Sequence, residues 1–166
     1  NKFSLEHGAG FPRDLIVYLE RGKASLSSTH ISNIKEVKST LKQNKRKLRV
    51  VSIDAALSKV KDIIKILQRA KIIVGIHGGQ MANIIFAQAD KNTSIIEIAG
   101  RQTYWKSYYY NGMGSVFDYH LVPRLCKSKG VVIHPNDADL KLGGCSSNLF
   151  VSIHDLNMAL NKAFEY

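Results

Sequence analysis

The stretch IVGIHGGQMANIIF (Ile73–Phe86) interrupts an apolar run with two glycines and then resumes with apolar residues at helical spacing. This pattern predicts a buried strand, a sharp turn at Gly78 and Gly79, and a helix directly after the turn. Glycines let a ligand approach the backbone, and the first amide groups of a helix have no partner inside the helix. The stretch therefore predicts an anion site at the carboxyl end of a parallel strand, with tight packing as the alternative reason for the glycines.

Short apolar runs alternate with helix-period segments on both sides of this stretch. The predicted strands are Leu15–Glu20, Leu48–Asp54, Lys71–His77 and Ser94–Ala99. Ser32 is the predicted N-cap of a helix that ends near Gln43. A second amphipathic helix is marked by Leu57, Val60, Ile63, Ile64 and Leu67, and a third by Met81, Ile84 and Ile85. The alternation predicts an α/β fold, a Rossmann-like parallel sheet flanked by helices, in a single domain over residues 1–166.

The last third of the chain is less regular. Residues 103–112 are aromatic and predict a short helix or lid, whose rings either stack on a base or sugar or pack in a core. Residues 118–124 predict a strand and residues 134–148 a long loop. Residues 149–164 predict a strand and then a helix whose Leu156, Leu160 and Phe164 face the sheet.

The charge is strongly positive, with 24 Lys and Arg against 13 Asp and Glu and a net charge of +11. Half of these cations lie between Lys35 and Lys71. Such a surface attracts polyanions, but two solvated amphipathic helices have the same pattern. Nucleic acid is not an expected partner, because no recognised motif is present and the aromatic residues do not interleave with the basic run. A basic nucleic-acid-binding module is therefore the least favoured function.

The glycine stretch, followed by SIIEI, resembles the signature of glycosyltransferase family 61, roughly G-x-H-G-A-x-L-x-N-x-x-F and then a strand with a Glu. The matching residues are Gly75, His77, Gly78, Asn83, Phe86 and Glu97, and Gly79 and Met81 stand where Ala and Leu are usual. A second family element consists of a strand ending in Arg, a short loop with another Arg, and then an Asn and a Glu that open a helix. Residues 17–37 resemble this element through Arg21, Asn33 and Glu36. The second Arg of that element is replaced near Thr29 or His30.

The resemblance implies an inverting, metal-independent transfer of a sugar from a UDP-sugar to a protein or polysaccharide acceptor, in the lumen of the endoplasmic reticulum or Golgi. It also implies a two-lobed GT-B fold, of which this chain is the C-terminal, nucleotide-binding lobe and from which the N-terminal lobe is missing. A non-catalytic nucleotide-binding or scaffolding relative of the family is the alternative.

Candidate site residues follow from this resemblance and from the chemistry of a departing UDP. His77 and Arg21 are the candidate catalytic residues, because negative charge develops on the β-phosphate and needs donors and cations. The candidate donor-binding residues are His77, Gly78, Gly79, Asn83, Glu97 and Arg21, with no metal and no cofactor beyond the UDP-sugar substrate. Glu97 is expected to accept a hydrogen bond from a ribose hydroxyl, or else to pair with Arg101.

Overall fold

The computed structural model describes residues 11–20, 31–54, 57–88, 92–99, 117–128, 131–133 and 149–165. Within these residues the strands are β1 (Leu15–Glu20), β2 (Arg49–Asp54), β3 (Ala70–Ile76), β4 (Ser94–Ala99), β5 (Asp118–Ser128), β6 (Val131–Ile133) and β7 (Leu149–Val151). The helices are α1 (Ile34–Lys42), α2 (Val60–Leu67), a 3-10 helix (Gly79–Phe86) and α3 (Ile153–Ala163). The aromatic residues 103–112 and the loop predicted over 134–148 lie outside the described residues.

Five strands run parallel in the order β2-β1-β3-β4-β5, and β6 and β7 add to β5 in the antiparallel direction. This arrangement confirms the predicted α/β, Rossmann-like sheet flanked by helices. The apolar runs of β3 and β4 are buried along their whole length, as central parallel strands require when both faces are covered. Because all five strands are parallel, their carboxyl ends lie at one edge, here called the carboxyl rim, and their amino ends form the amino rim.

The sheet separates two apolar clusters by the alternation of side chains along each strand. On one face, Ile16, Val74 and Ile96 pack with α1 and α3. On the other face, Val17, Ile73 and Ile95 pack with α2 and with Met81 and Ile84 of the 3-10 helix. Leu156, Leu160 and Phe164 are buried against the first face, as predicted for the C-terminal helix.

Three local predictions about the helices are wrong. The N-cap of α1 is Asn33 rather than Ser32. α2 begins only at Val60, so Leu57 and Val60 are exposed instead of facing the sheet. The segment after the glycine turn is a 3-10 helix, in which three residues per turn bring Met81, Ile84 and Ala87 to the buried side. Ile85 is therefore 61% exposed, although it was expected to be part of the apolar face.

Candidate functional site at the carboxyl rim

The glycine turn lies at the carboxyl rim, directly after β3. The backbone N–H of His77 donates to the carbonyl of Ile98 at 2.8 Å, so pairing with β4 continues one residue beyond the end of β3. Gly78 then has φ 145°, which an L-residue with a side chain rarely adopts, and precedes the first residue of the 3-10 helix. Its carbonyl accepts from the Met81 N–H at 2.9 Å. A sharp strand-to-helix turn is therefore present where the sequence predicts it.

The three glycines of the stretch have different reasons to be glycine. A Cβ on Gly75 would overlap the Met81 sulfur and lie 3.3 Å from Leu19 Cβ, so a side chain there would require the Met81 side chain to move. Gly78 is required by its backbone conformation. A Cβ on Gly79 would meet no atom of the described residues within 4 Å, which agrees with the Ala that is usual in the family pattern. Packing and turn geometry thus each account for one glycine, and no described residue fills the space beside Gly79.

His77 is held by a buried carboxylate on the neighbouring strand. Its Nδ1 lies 2.5 Å from Oε1 of Glu97, and the Tyr119 hydroxyl donates to the other carboxylate oxygen, Oε2. Glu97 is fully buried, whereas the His77 side chain is 23% exposed. A buried carboxylate is costly unless donors satisfy it, and two of its donors are these side chains from β5 and from the end of β3. Hydrogen bonds therefore link the three side chains in a row from the sheet interior to the carboxyl rim.

Within the described residues Glu97 has protein partners, and its direct contact with a donor stays a prediction. A ribose hydroxyl would have to reach a carboxylate with no exposed surface, on which His77 and Tyr119 already engage both oxygens. The alternative partner, Arg101, lies outside the described residues. Among the described residues, Glu97 is connected to the glycine turn through His77.

Asn83 serves the turn itself. Its Nδ2 donates to the Gln80 carbonyl at 2.8 Å, inside the 3-10 helix, which is the structural role weighed against donor contact. Within the described residues, the buried Oε1 of Gln80 has no hydrogen-bond partner. Contact of Asn83 with a donor stays a prediction.

Arg21 follows Glu20, the last residue of β1, and β1 is the neighbour of β3 in the sheet. Arg21 itself lies outside the described residues, so its distance from His77 stays a prediction. Glu20 faces away from His77, toward α1, and forms an ion pair with Lys38. The Lys38 ammonium, by hydrogen bonding to Glu20, holds the pKa of that carboxyl below its usual range.

Two residues have roles that the sequence analysis missed. The strand that contains Tyr119 was predicted, but Tyr119 itself was not named as a site residue. The feature that could have identified it is a hydroxyl group on a strand next to the one that carries a buried acid. Asn33 does not cap α1 with its side chain: its Nδ2 donates to the Val151 carbonyl at 2.8 Å and its Oδ1 accepts from the Val151 N–H at 2.9 Å. Asn33 thus joins the start of α1 to β7 through two hydrogen bonds. These bonds are a structural reason for its match to the family element.

The described part of the chain brings no three His, Cys, Asp or Glu side chains together as ligands for a metal ion. None of the helices in that part has the length and apolar character needed to cross a bilayer. Cys126 lies on β5 and Cys145 falls outside the described residues, so their pairing stays open.

Comparison with known protein families gives one match. The pattern of the family described as Glycosyltransferase 61 matches residues 4–96, more than half of the chain. The match includes β1 to β3, the glycine turn and the 3-10 helix, and it ends one residue before Glu97. A search of curated proteins found no match. The matched region and the geometry at its carboxyl rim lead to one conclusion: this chain belongs to glycosyltransferase family 61.

Proposed function

We propose that this chain is the nucleotide-binding lobe of a glycosyltransferase and binds the diphosphate of a UDP-sugar at the turn between β3 and the 3-10 helix. The observation that carries the proposal is the place of His77: a partly exposed imidazole at the carboxyl end of a central parallel strand, beside a glycine turn. Ligands of open α/β sheets bind at these strand ends, because the loops there lead into helix N-termini. Membership of the family supplies the reaction class.

The chemistry of UDP departure fits these groups. When the bond from the sugar to UDP breaks, negative charge develops on the β-phosphate oxygen, and preorganised donors and cations at that oxygen lower the barrier. His77 would donate to this oxygen from the ring nitrogen that does not face Glu97, and the start of the 3-10 helix would add backbone donors and partial positive charge. Arg21, next after β1, would supply a planar cation for the same phosphates.

The finer features of the reaction belong to the same proposal. We propose inversion at the sugar, no requirement for metal, and a protein or polysaccharide acceptor that is bound mainly by a second, N-terminal lobe in a GT-B arrangement. The reaction would take place in the lumen of the endoplasmic reticulum or Golgi. These features are supported by the family resemblance of the sequence motifs.

Calorimetric titration of the full-length protein with UDP and with uridine tests the proposal. UDP should bind at least tenfold more tightly than uridine, because the diphosphate meets the donors at the turn, and chelation of metal should leave this binding unchanged. His77→Ala should weaken UDP binding about tenfold or more. His120→Ala is the matched control, because His120 also contacts a carboxylate but lies near the amino rim.

The proposal fails if UDP does not bind the full-length protein, or if His77→Ala binds UDP as tightly as the unaltered protein does. A transfer assay with a panel of UDP-sugars then separates the two functions in the family. Binding of UDP without sugar transfer would identify the non-catalytic relative.

A further inference from the structure

We propose that Glu97 and Tyr119 are positioning residues that act through His77, holding the proton of its ring on Nδ1 so that Nε2 is the nitrogen that meets the diphosphate. The inference rests on the proposed function for the identity of the ligand. Its claim about the imidazole depends only on contacts within the chain.

The contacts determine which atoms donate. An ionised carboxylate only accepts hydrogen bonds, so the nitrogen 2.5 Å from Glu97 Oε1 must carry a proton. The Tyr119 hydroxyl donates to the second oxygen, so both oxygens of the buried carboxylate act as acceptors. Neutral His77 is therefore in the Nδ1–H form, and Nε2 is left as an acceptor.

An acceptor at Nε2 would repel a phosphate oxygen. With neutral His77, the buried pair also carries one negative charge directly behind the proposed diphosphate position, where low dielectric strengthens repulsion. A second proton on the ring cancels this charge and converts Nε2 into a charge-assisted donor. The diphosphate would accordingly bind together with a proton on His77, and Glu97 would stabilise the resulting imidazolium.

Few other titratable groups face this pair among the described residues. Glu97 comes from β4 and Tyr119 from β5, and the 3-10 helix has no titratable side chain. On β1, Glu20 is paired with Lys38 on the opposite face of the sheet. Asp54 ends β2, which β1 separates from β3. Among the described residues, His77 is therefore the group expected to take up a proton on binding.

Tyr119 fixes the direction of the carboxylate. Glu97 lies beside Gly75 in the strand register, so its side chain leaves the sheet on the face covered by the 3-10 helix. With the Tyr119 hydroxyl on Oε2, the carboxylate keeps Oε1 pointed at the imidazole; without that hydroxyl, the carboxylate loses a hydrogen bond that holds its orientation. Loss of the Tyr119 hydroxyl should therefore misplace His77 without removing any group that contacts the ligand.

Two measurements on the full-length protein test the proposal, each with Tyr119→Phe and Glu97→Gln. The first is the ¹⁵N spectrum of the histidine rings without UDP, with the His77 signals identified by their loss in His77→Ala. The second is UDP affinity from about pH 5.5 to about pH 8.5, the range in which histidines usually titrate. The matched control is Tyr18→Phe, which removes a hydroxyl from a buried tyrosine on the other face of the sheet.

The unaltered protein should show a proton on Nδ1 of neutral His77. Its UDP dissociation constant should rise by up to tenfold per pH unit at the alkaline end of the range, since one proton is bound with the ligand. Tyr119→Phe should weaken UDP binding about three- to tenfold and change the His77 ring signals. Glu97→Gln should flatten the pH dependence, because the charge that favours the imidazolium is gone. Tyr18→Phe should change neither quantity.

Neutral His77 with its proton on Nε2 would overturn the proposal, as would a Tyr119→Phe variant that matches Tyr18→Phe in affinity, pH profile and ring signals. Because the spectra are recorded without ligand, the positioning claim can fail while UDP binding stands. An Nδ1–H ring in a protein that does not bind UDP would defeat the diphosphate assignment and the proposed function, and leave the positioning claim supported.

Discussion

The two rims of the parallel sheet each hold a histidine in contact with a carboxylate, yet the two pairs have different surroundings. At the carboxyl rim, His77 Nδ1 is 2.5 Å from the fully buried Glu97, and the chain turns at once through glycine into the 3-10 helix. Near the amino rim, His120 Nε2 is 2.8 Å from Asp118, the first residue of β5, and both side chains are about equally buried.

Ser94 connects the His120–Asp118 pair at the amino rim to the C-terminal helix α3. Ser94 Oγ lies 2.8 Å from Asp118 Oδ2 and 3.3 Å from the carbonyl of Ala163, the last residue of α3. Asp118 stands between Ser94 and His120, so the hydroxyl does not face an imidazole as a catalytic serine must. A histidine–carboxylate pair is therefore not a ligand site by itself. Its position at the strand ends that lead into helix N-termini is what distinguishes His77.

The largest expected effect comes from Gly78→Ala compared with Gly79→Ala. At φ 145° a side chain costs about 1 to 3 kcal/mol or forces the turn to another conformation, whereas a Cβ at Gly79 would meet no described residue within 4 Å. Gly78→Ala should weaken UDP binding about tenfold or more, and Gly79→Ala should leave it within about twofold. Titration with UDP measures both. Equal losses of UDP affinity in the two variants would show that the conformation of the turn does not determine UDP binding.

Gly75→Ala tests the packing under the turn rather than the turn itself. The new Cβ would overlap the Met81 sulfur, so the buried Met81 side chain must repack or the 3-10 helix must shift. Overpacking of this kind costs about 1 to 3 kcal/mol of unfolding free energy. Urea denaturation measures it, and Gly79→Ala again serves as control. If Gly75→Ala leaves the free energy of unfolding unchanged, Met81 repacks freely and the packing under the turn is not rigid.

Asn33→Ala and Ser94→Ala remove structural hydrogen bonds at the two rims. Asn33 makes two bonds to Val151, and its loss should cost about 1 to 3 kcal/mol because the half-buried backbone groups lose their partner. Ser94→Ala should cost about 1 kcal/mol. Urea denaturation gives both values, and neither change should alter UDP affinity. Weaker UDP binding by Ser94→Ala would show that the amino rim also affects the ligand, which contradicts the contrast between the two rims.

The smallest effects are expected for two half-exposed ion pairs, one at each rim. Glu20 pairs with Lys38 and Asp14 with Arg69, and in each case the hydrogen bond from the cation is the main cause that lowers the pKa of the carboxyl. The acidic side chains are 35% and 42% exposed, so each pair contributes at most about 1 kcal/mol.

The pH dependence of these pairs has a definite sign. Because the folded pKa lies below the unfolded value, the contribution is complete above the ordinary carboxyl range and is lost as pH falls through the folded pKa. Lys38→Met and Arg69→Met should therefore differ from the unaltered protein near about pH 7 and converge with it near about pH 2. Urea unfolding at both pH values measures this. A difference that persists in acid would assign the effect to packing of the long side chains.

Local pattern predicted the strands well because burial on both faces leaves a continuous apolar run. β1 and β4 have the predicted ends, and β2 and β3 differ by one residue. The helix after the turn was harder, because apolar residues at positions 81, 84 and 85 fit an α-helix and a 3-10 helix about equally well. Packing against the sheet decided between them: Met81 lies in the gap left by Gly75, and Ile84 follows on the same side.

For the site, the family motif identified His77, Gly78 and Glu97, but not how they act together. Glu97 was assigned to the ligand because a buried acid needs a partner and sequence spacing does not name that partner. His77 and Glu97 are 20 residues apart and Tyr119 lies another 22 residues along. Only the parallel pairing of β3, β4 and β5 brings these side chains together.

By itself, the sequence determined the alternation of strands and helices, the glycine turn and the family, because periodicity, backbone preference and motif spacing are local properties. Tertiary structure alone decided that Glu97 contacts His77 and Tyr119, that Asn33 contacts Val151, and that only one of two histidine–carboxylate pairs stands beside the turn. The physical reason is that hydrogen-bond partners of buried groups are chosen by strand order and register, and these depend on contacts between distant parts of the chain.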